Sequence, residues 1–410
     1  MVAFTSGQIP GVDKRVFPPE LSGRAYPEGI PIYGESLLKD LIIKNNVKKV
    51  FFSYSDVSYL ELLSKAALVQ SLGSDFVLLS LQSTMIKPAA RSISICGVRT
   101  GVGKSPVARY VVNLLKKAGM KPVVIRHPMP YGDLSKSVVQ RFSSLEDLDI
   151  QNCSIEERED YEPHIRNGSI VYAGVDYCKI LNAAEGEGDV IVWDGGNNDF
   201  PFYDTDLNIV VVDGLRPDHI VEYYPSEVNF RRADVIVVTK VDISPKENID
   251  KIYRYASILN PEAKIIEGLL VKKGYPDVDL KNKKILVIED GPSVTHGGLN
   301  HGAAYSYSVE RGGVIVDPKP YAKGIIKEVY EKYPHIDSVI PAIGYNGQQI
   351  KDLLETIKGI NFDLIVSATP ADLNLLFKSD FNMVKVTYAF KPFDDLKFAK
   401  LIKLRFIDRL

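Results

Sequence analysis

Gly97-Val98-Arg99-Thr100-Gly101-Val102-Gly103-Lys104-Ser105 follows the apolar run Ser92–Cys96 and precedes a stretch with Val107, Val111, Leu114, Leu115 and Ala118 at helical spacing. A strand, a glycine-rich turn and a helix in that order make an anion cradle. Glycine permits the backbone angles that aim successive N–H groups inward, and the helix contributes its positive end. Gly97, Thr100, Gly101, Val102 and Gly103 are expected to line the cradle. Lys104 would meet the β and γ phosphates, and the Ser105 hydroxyl would ligate Mg²⁺. A chance glycine turn is the bland alternative, and it leaves the Lys-Ser pair unexplained. The expectation is a nucleoside triphosphate, ATP or GTP, bound with Mg²⁺.

Outward from this loop, short β-branched runs alternate with amphipathic stretches, which predicts an α/β fold with a mostly parallel sheet. Residues 91–280 read as the nucleotide-binding domain, with strands at Ser92–Cys96, Val123–Ile125, Val190–Trp193, Leu207–Val212, Val235–Val238 and Lys264–Ile266. Residues 1–90 read as a small Rossmann-like domain, with apolar runs at Val2–Phe4, Val50–Tyr54 and Phe76–Leu79. That region begins inside a strand with no glycine-rich turn before it, so either its start is truncated or it lacks a phosphate site of its own. Residues 281–410 read as a C-terminal α/β section, with strands at Ile285–Ile288, Val314–Val316, Val339–Ile340, Leu364–Ser367 and Val384–Tyr388. This section either stands alone or extends the same sheet.

Fifty basic residues against 52 acidic ones leave a formal charge of −2 on 410 residues, which gives no global attraction to nucleic acid or anionic membrane. No run approaches the roughly 20 apolar residues of a membrane helix, and the N-terminus lacks a secretory pattern. A cytoplasmic location is expected. Cys96, Cys153 and Cys178 are far apart and form no C-x-x-C pair, which argues against a disulfide framework or a zinc site.

Asp189–Asp194 is an apolar strand ending in a carboxylate, followed by Gly195-Gly196-Asn197-Asn198-Asp199. A carboxylate at a strand's carboxyl end beside a phosphate loop is the usual second Mg²⁺ anchor, so Asp194 takes that role. Asp199 is the candidate for orienting a nucleophile; a plain turn is the alternative for both. Further on, Val235–Val238 ends in Thr239-Lys240-Val241-Asp242. This string suits guanine, because a carboxylate at Asp242 accepts both of its edge N–H groups. It equally fits an ordinary strand end.

Arg126, His127 and Asp133 sit in the loop after Val123–Ile125, at the edge where ligands collect in open α/β sheets. Arg126 and His127 are candidates to hold an anionic substrate or the phosphoryl group in transfer, and Asp133 joins them as a substrate contact. Arg99 reads equally as a group stabilising charge on the γ-phosphate and as a solvated loop arginine. The charged run Ile155–His164 reads as a solvated helix face, with Glu162 and His164 as exceptions worth testing. Glu289 and His296, with His301 nearby, occupy a small-residue loop suited to acid–base work on a substrate. Pro318–Tyr321 is a further candidate anion contact.

The loop is similar to the G-x-x-T-x-V-G-K-[ST] form of the dethiobiotin synthetase-like and MinD-like P-loop class, with Arg99 where that class often carries a second lysine. Cys96–Ser105, Arg126–Asp133, Trp193–Tyr203, and Glu289–Pro292 with Thr295–Gly298 together resemble a family of archaeal and bacterial predicted GTPases related to cyclic 2,3-diphosphoglycerate synthetase. The resemblance spans nearly the whole chain. It implies a P-loop fold and phosphoryl transfer; in the synthetase, ATP drives closure of a phosphoanhydride ring. The leading expectation is therefore an NTP-dependent synthetase or ligase with a small anionic substrate, phosphorylated or carboxylate, acting as a homodimer. The rivals are a regulatory GTPase switch, favoured by Thr239–Asp242, and a nucleotide-gated metallochaperone.

Overall fold

The computed structural model describes residues 1–7, 12–127, 133–196, 198–295, 297–343, 347–369 and 371–403. Its dominant feature is one 13-stranded sheet. From one edge the strands run Val314–Ile315, Lys284–Asp290, Leu364–Ser367, Met383–Pro392, Lys264–Tyr275, Val235–Thr239, Leu207–Asp213, Arg91–Gly97, Val190–Asp194, Pro122–Arg126, Ile170–Ala173 and Gln140–Phe142, with Ile340–Ala342 branching from Lys284–Asp290. The central strands are nearly unbroken Val and Ile runs because helices cover both faces. Ile209, Val211, Val212 and Val235–Val238 are all fully buried.

Helix Lys104–Lys117 packs Val107, Ala108, Val111, Val112 and Leu115 onto this sheet. Its apolar stripe at i, i+4 and i+8 fixes which face turns inward. That packing sets the phosphate loop at the carboxyl end of Arg91–Gly97.

The strand Lys264–Tyr275 joins two halves of the sheet. Val235–Val238 pair in parallel with Lys264–Glu267, and then Gly268–Tyr275 pair antiparallel with Lys385–Pro392. Strands Lys284–Asp290 and Leu364–Ser367 consequently run against the nucleotide half, and their carboxyl ends point back towards it. Contacts close the cleft between the halves: Arg216 Nη1 donates to the Gly297 carbonyl at 2.7 Å, and the Thr369 hydroxyl donates to Glu159. Residues 281–403 thus extend the same sheet.

Among its described residues the N-terminal region holds a βαβ unit, the parallel pair Lys49–Phe52 and Asp75–Leu78 with helix Tyr59–Ser71 between them, beside a separate three-stranded sheet. Val57–Ser58 pair with Tyr223–Tyr224, which ties this region to the nucleotide half. No helix among the described residues is long and apolar enough to cross a membrane.

Candidate functional site

The loop after Arg91–Gly97 turns four of its carbonyls outward, and each of the four is held. Val98 O accepts from the Ser226 hydroxyl at 2.5 Å and Thr100 O from Arg216 Nη2 at 3.2 Å. Gly101 O accepts from Lys240 Nζ at 2.9 Å and Val102 O from the Thr239 hydroxyl at 2.6 Å. In a trans peptide the N–H opposes the C=O, so the amides of Arg99, Gly101, Val102 and Gly103 face the inside of the turn. Gly101 and Gly103 have φ of +80° and +89°. A Cβ at Gly103 would also stand 3.0 Å from Leu270 Cδ1, so the backbone angle disfavours a larger residue and the leucine would have to give way to it.

Lys104 opens the helix and is buried, its Nζ 2.6 Å from Asp194 Oδ1. Asp194 ends the strand Val190–Asp194 with no exposure. Arg126 Nη1 also reaches Asp194 Oδ1 at 2.9 Å, and His164 Nε2 reaches Oδ2 at 2.8 Å. Burial alone would raise the Asp194 pKa; Arg126 and Lys104 prevail and hold it well below the usual carboxylate range. Burial, reinforced by Arg126, lowers the pKa of Lys104. Burial likewise lowers His164 despite Asp194, which favours the neutral imidazole.

Sequence-predicted residues distribute unevenly around this centre. Arg126 is not an open anion contact. It is 2% exposed, donates to the carbonyls of Asp194 and Gly195, and pairs with Asp160. It positions the Asp194 turn. His127 and Asp199 do come together, Nε2 to Oδ2 at 3.4 Å, and Asp199 also takes a hydrogen bond from Ser55. Arg99 is neither solvated nor turned into the cradle: its Nε lies 2.7 Å from Asp56 and its guanidinium 3.6 Å over the Tyr223 ring. Asp56 in turn accepts from the Thr100 hydroxyl at 3.1 Å, so the N-terminal region roofs the loop. Ser105 lies in the first turn of the helix, partly buried.

Lys240 pairs with buried Asp213 at 2.7 Å and braces the loop from behind, while Thr239 is fully buried and Asp242 exposed. Asp133 lies at the surface with its carboxylate on Ser135. Glu289 is 1% exposed and accepts from the amides of Tyr305 and Ala304, at 2.8 and 3.3 Å, at the start of helix Ala303–Glu310. Burial pushes its pKa up to about 7 against those amides. It is a helix-capping carboxylate rather than an open substrate contact. His296 lies outside the described residues. His301 pairs with Asp337 and stacks on Tyr305, and Lys319 sits in an exposed turn with its ammonium over Tyr330.

The charged run Ile155–His164 is not the solvated face that its composition suggests. Helix Ile155–Arg166 buries Glu156, Arg158, Glu159, Glu162 and His164 in the cleft between the two sheet halves. Its capping box, the Ser154 side chain with Glu157, was the legible signal for a helix, but nothing local announced the burial. Glu159 faces Asp290 across the cleft; both carboxyls are pushed up, by burial first and then, for Glu159, by Asp290. Two carboxyls so placed disfavour ionising together.

An inward-facing amide turn, a lysine at the helix start and a buried carboxylate on the adjacent strand define a P-loop nucleotide-binding domain. The family described as cyclic 2,3-diphosphoglycerate synthetase, P-loop domain, matches residues 167–269. The chain belongs to the family of arginine synthetase ArcE of Thermococcus kodakarensis, with 47% identity over 98% of this chain and 90% of that protein. Cyclic 2,3-diphosphoglycerate synthetase of Thermococcus sibiricus is 25% identical over 54% of each chain. Among solved structures, LpxK of Aquifex aeolicus in complex with ATP aligns at a TM-score of 0.47 and 14% identity, covering 90% of this chain and 99% of that one. The chain is thus an enzyme of a P-loop synthetase family.

Proposed function

We propose that this chain is an ATP-dependent synthetase that makes arginine, the product in the name of its 47% identical relative. Two features support the nucleotide half of this reading: the turned-in amides with Lys104, and the hard oxygen donors Ser105 and Asp194. No group of three His, Cys, Asp or Glu side chains among the described residues is set to hold a metal by itself. Such a site fits Mg²⁺ carried mainly by nucleotide phosphates and water, with Ser105 and Asp194 as the protein's anchors. When bound, Mg²⁺ would neutralise charge between the β and γ phosphates.

The observation that carries the product class is the charge of the cleft wall. Arg126 is neutralised by Asp160 and Asp194, and the wall beside it carries the carboxyls of Glu159 and Asp290, with Lys385 and Arg109 as the basic groups near them. A carboxylate-lined wall suits a substrate that becomes cationic. It suits a polyanion such as 2,3-diphosphoglycerate less well, and of the small anionic substrates expected from sequence it favours a carboxylate-bearing amino acid.

The route that fits is phosphorylation of a ureido oxygen followed by displacement of phosphate by ammonia. The oxygen attacks the γ-phosphorus and ADP leaves with Lys104 on its β-phosphate. Ammonia then adds to the carbon, and phosphate departs as HPO4²⁻, taking the surplus proton by way of a carboxylate of the cleft. The guanidinium left behind pairs with the acidic wall. Base choice belongs to the same proposal: the ATP-dependent reading sets aside the guanine role for Asp242. The exposed Ile43, Phe51, Leu60 and Leu63 of the N-terminal region support a homodimer, which sedimentation tests.

The test is turnover of ATP with a ureido amino acid and ammonium, following arginine by chromatography. Arginine and ADP in equal amounts are expected. Formation of a cyclic product from 2,3-diphosphoglycerate, with no arginine, would replace this reading.

A further inference from the structure

At the carboxyl end of Leu364–Ser367 lies a cavity of about 150 Å³. Ser367, Asp372, Leu373, Met383 and Lys385 line it. Ser367 is 2% exposed, and its hydroxyl has no hydrogen-bond partner among the described residues. A buried hydroxyl left in that state loses the hydrogen bonds water would supply, so its position calls for a ligand. Lys385 stands opposite Ser367 in the register of the neighbouring strand, so both side chains leave the sheet on one face. Asp372 caps helix Leu373–Phe377 through one oxygen, and its other oxygen lies 4.0 Å from Arg166. Leu373 and Met383 supply an apolar floor.

One cation, one hydroxyl and one carboxylate around a space of about five water volumes match the two charges on the head of an α-amino acid. The cavity is also joined to the chemistry. Thr369, two residues beyond Ser367, donates to Glu159. Asp160, the next residue on that helix, holds Arg126, and Arg126 holds Asp194. The proposed head-group site thus sits on a strand end that packs against the cleft helix, whose next residue reaches the Arg126–Asp194 centre.

We propose that this cavity is the subsite for the head group of the amino-acid substrate, with Lys385 and Ser367 taking the α-carboxylate and Asp372 the α-ammonium. The assignment rests on the amino-acid synthetase reading above and adds to it the element that selects a free amino acid over the corresponding amine.

The test titrates the full-length protein calorimetrically, with ADP present, using L-arginine and agmatine, which differ by the carboxylate alone. The wild type should favour L-arginine by about 30-fold or more, the usual loss when a buried charge partner is removed. Lys385→Gln should bring the two ligands to within about threefold of each other while leaving ADP affinity unchanged. Ser367→Ala, which removes a single oxygen and keeps the strand pairing, should lower L-arginine affinity by about tenfold and agmatine affinity hardly at all. Unchanged discrimination in both variants overturns the subsite and leaves the arginine reading standing. No binding of L-arginine by the wild type removes that reading and the subsite with it.

Discussion

Asp194→Asn tests the charge balance at the centre of the site. In the wild type Asp194 faces Lys104 at 2.6 Å and Arg126 at 2.9 Å, and all three are buried. The substitution keeps the shape and removes the negative charge. Arg126 retains Asp160, so the loss falls mainly on Lys104, which burial already pushes towards the neutral amine. Breaking a buried pair costs about 3–5 kcal/mol, and the lower end applies here because Lys104 can shed its proton. A cost of about 3 kcal/mol corresponds to a drop of roughly 3–4 °C in melting temperature for a chain of this size.

The sign with pH follows. In the variant the folded Lys104 has a pKa below its unfolded value, so the unfolded state binds more protons, and stability rises as pH climbs towards about 10.5. The deficit relative to wild type should therefore shrink from pH 7 to pH 10. ADP supplies the missing anion, so without Mg²⁺ it should stabilise the variant more than the wild type. Added Mg²⁺ should contribute little, because its protein carboxylate is gone. Calorimetric scans at several pH values, with and without ADP, read all of this. A variant that melts with the wild type, or gains no more from ADP than the wild type does, refutes the reasoning.

Three further outcomes are expected. Gly103→Ala places a Cβ 3.0 Å from Leu270 at a φ of +89°, so it should cost about 1–2 kcal/mol in chemical denaturation and sharply weaken nucleotide binding. For Glu289 the folded pKa of about 7 lies above the unfolded value, so the folded state holds the extra proton and wild-type stability falls between about pH 4.5 and 7. Glu289→Gln, which cannot ionise, should flatten that slope in denaturation curves, and an unchanged slope assigns it to another group. In fluorescent titrations ATP should bind in preference to GTP; the reverse order would return Asp242 to a guanine-reading role.

Much of the fold was legible because buried parallel strands are written as continuous β-branched runs; Leu364–Ser367 matches its reading end for end. The strand at Lys264 was read only to Ile266. Beyond that point its residues are polar or glycine in part, and its continuation to Tyr275 depends on pairing with Met383–Pro392, more than a hundred residues away. The candidate site is legible where its parts are contiguous, in Gly97–Ser105, or end a strand, as Asp194 does. Asp56, Arg216 and the Glu159–Asp290 pair are not, because each acquires its meaning from a partner brought in by the tertiary fold. The helix Ile155–Arg166 shows the same limit: a run of charges looks solvated until the second half of the sheet folds back over it.

The most direct measurement is a crystal structure with Mg²⁺ and a non-hydrolysable ATP analogue. The polyphosphate should lie against the amides of Arg99–Gly103, with Lys104 Nζ moved from Asp194 onto the β and γ phosphates. An analogue bound elsewhere, or Lys104 still paired to Asp194 with the turn empty, would contradict the account.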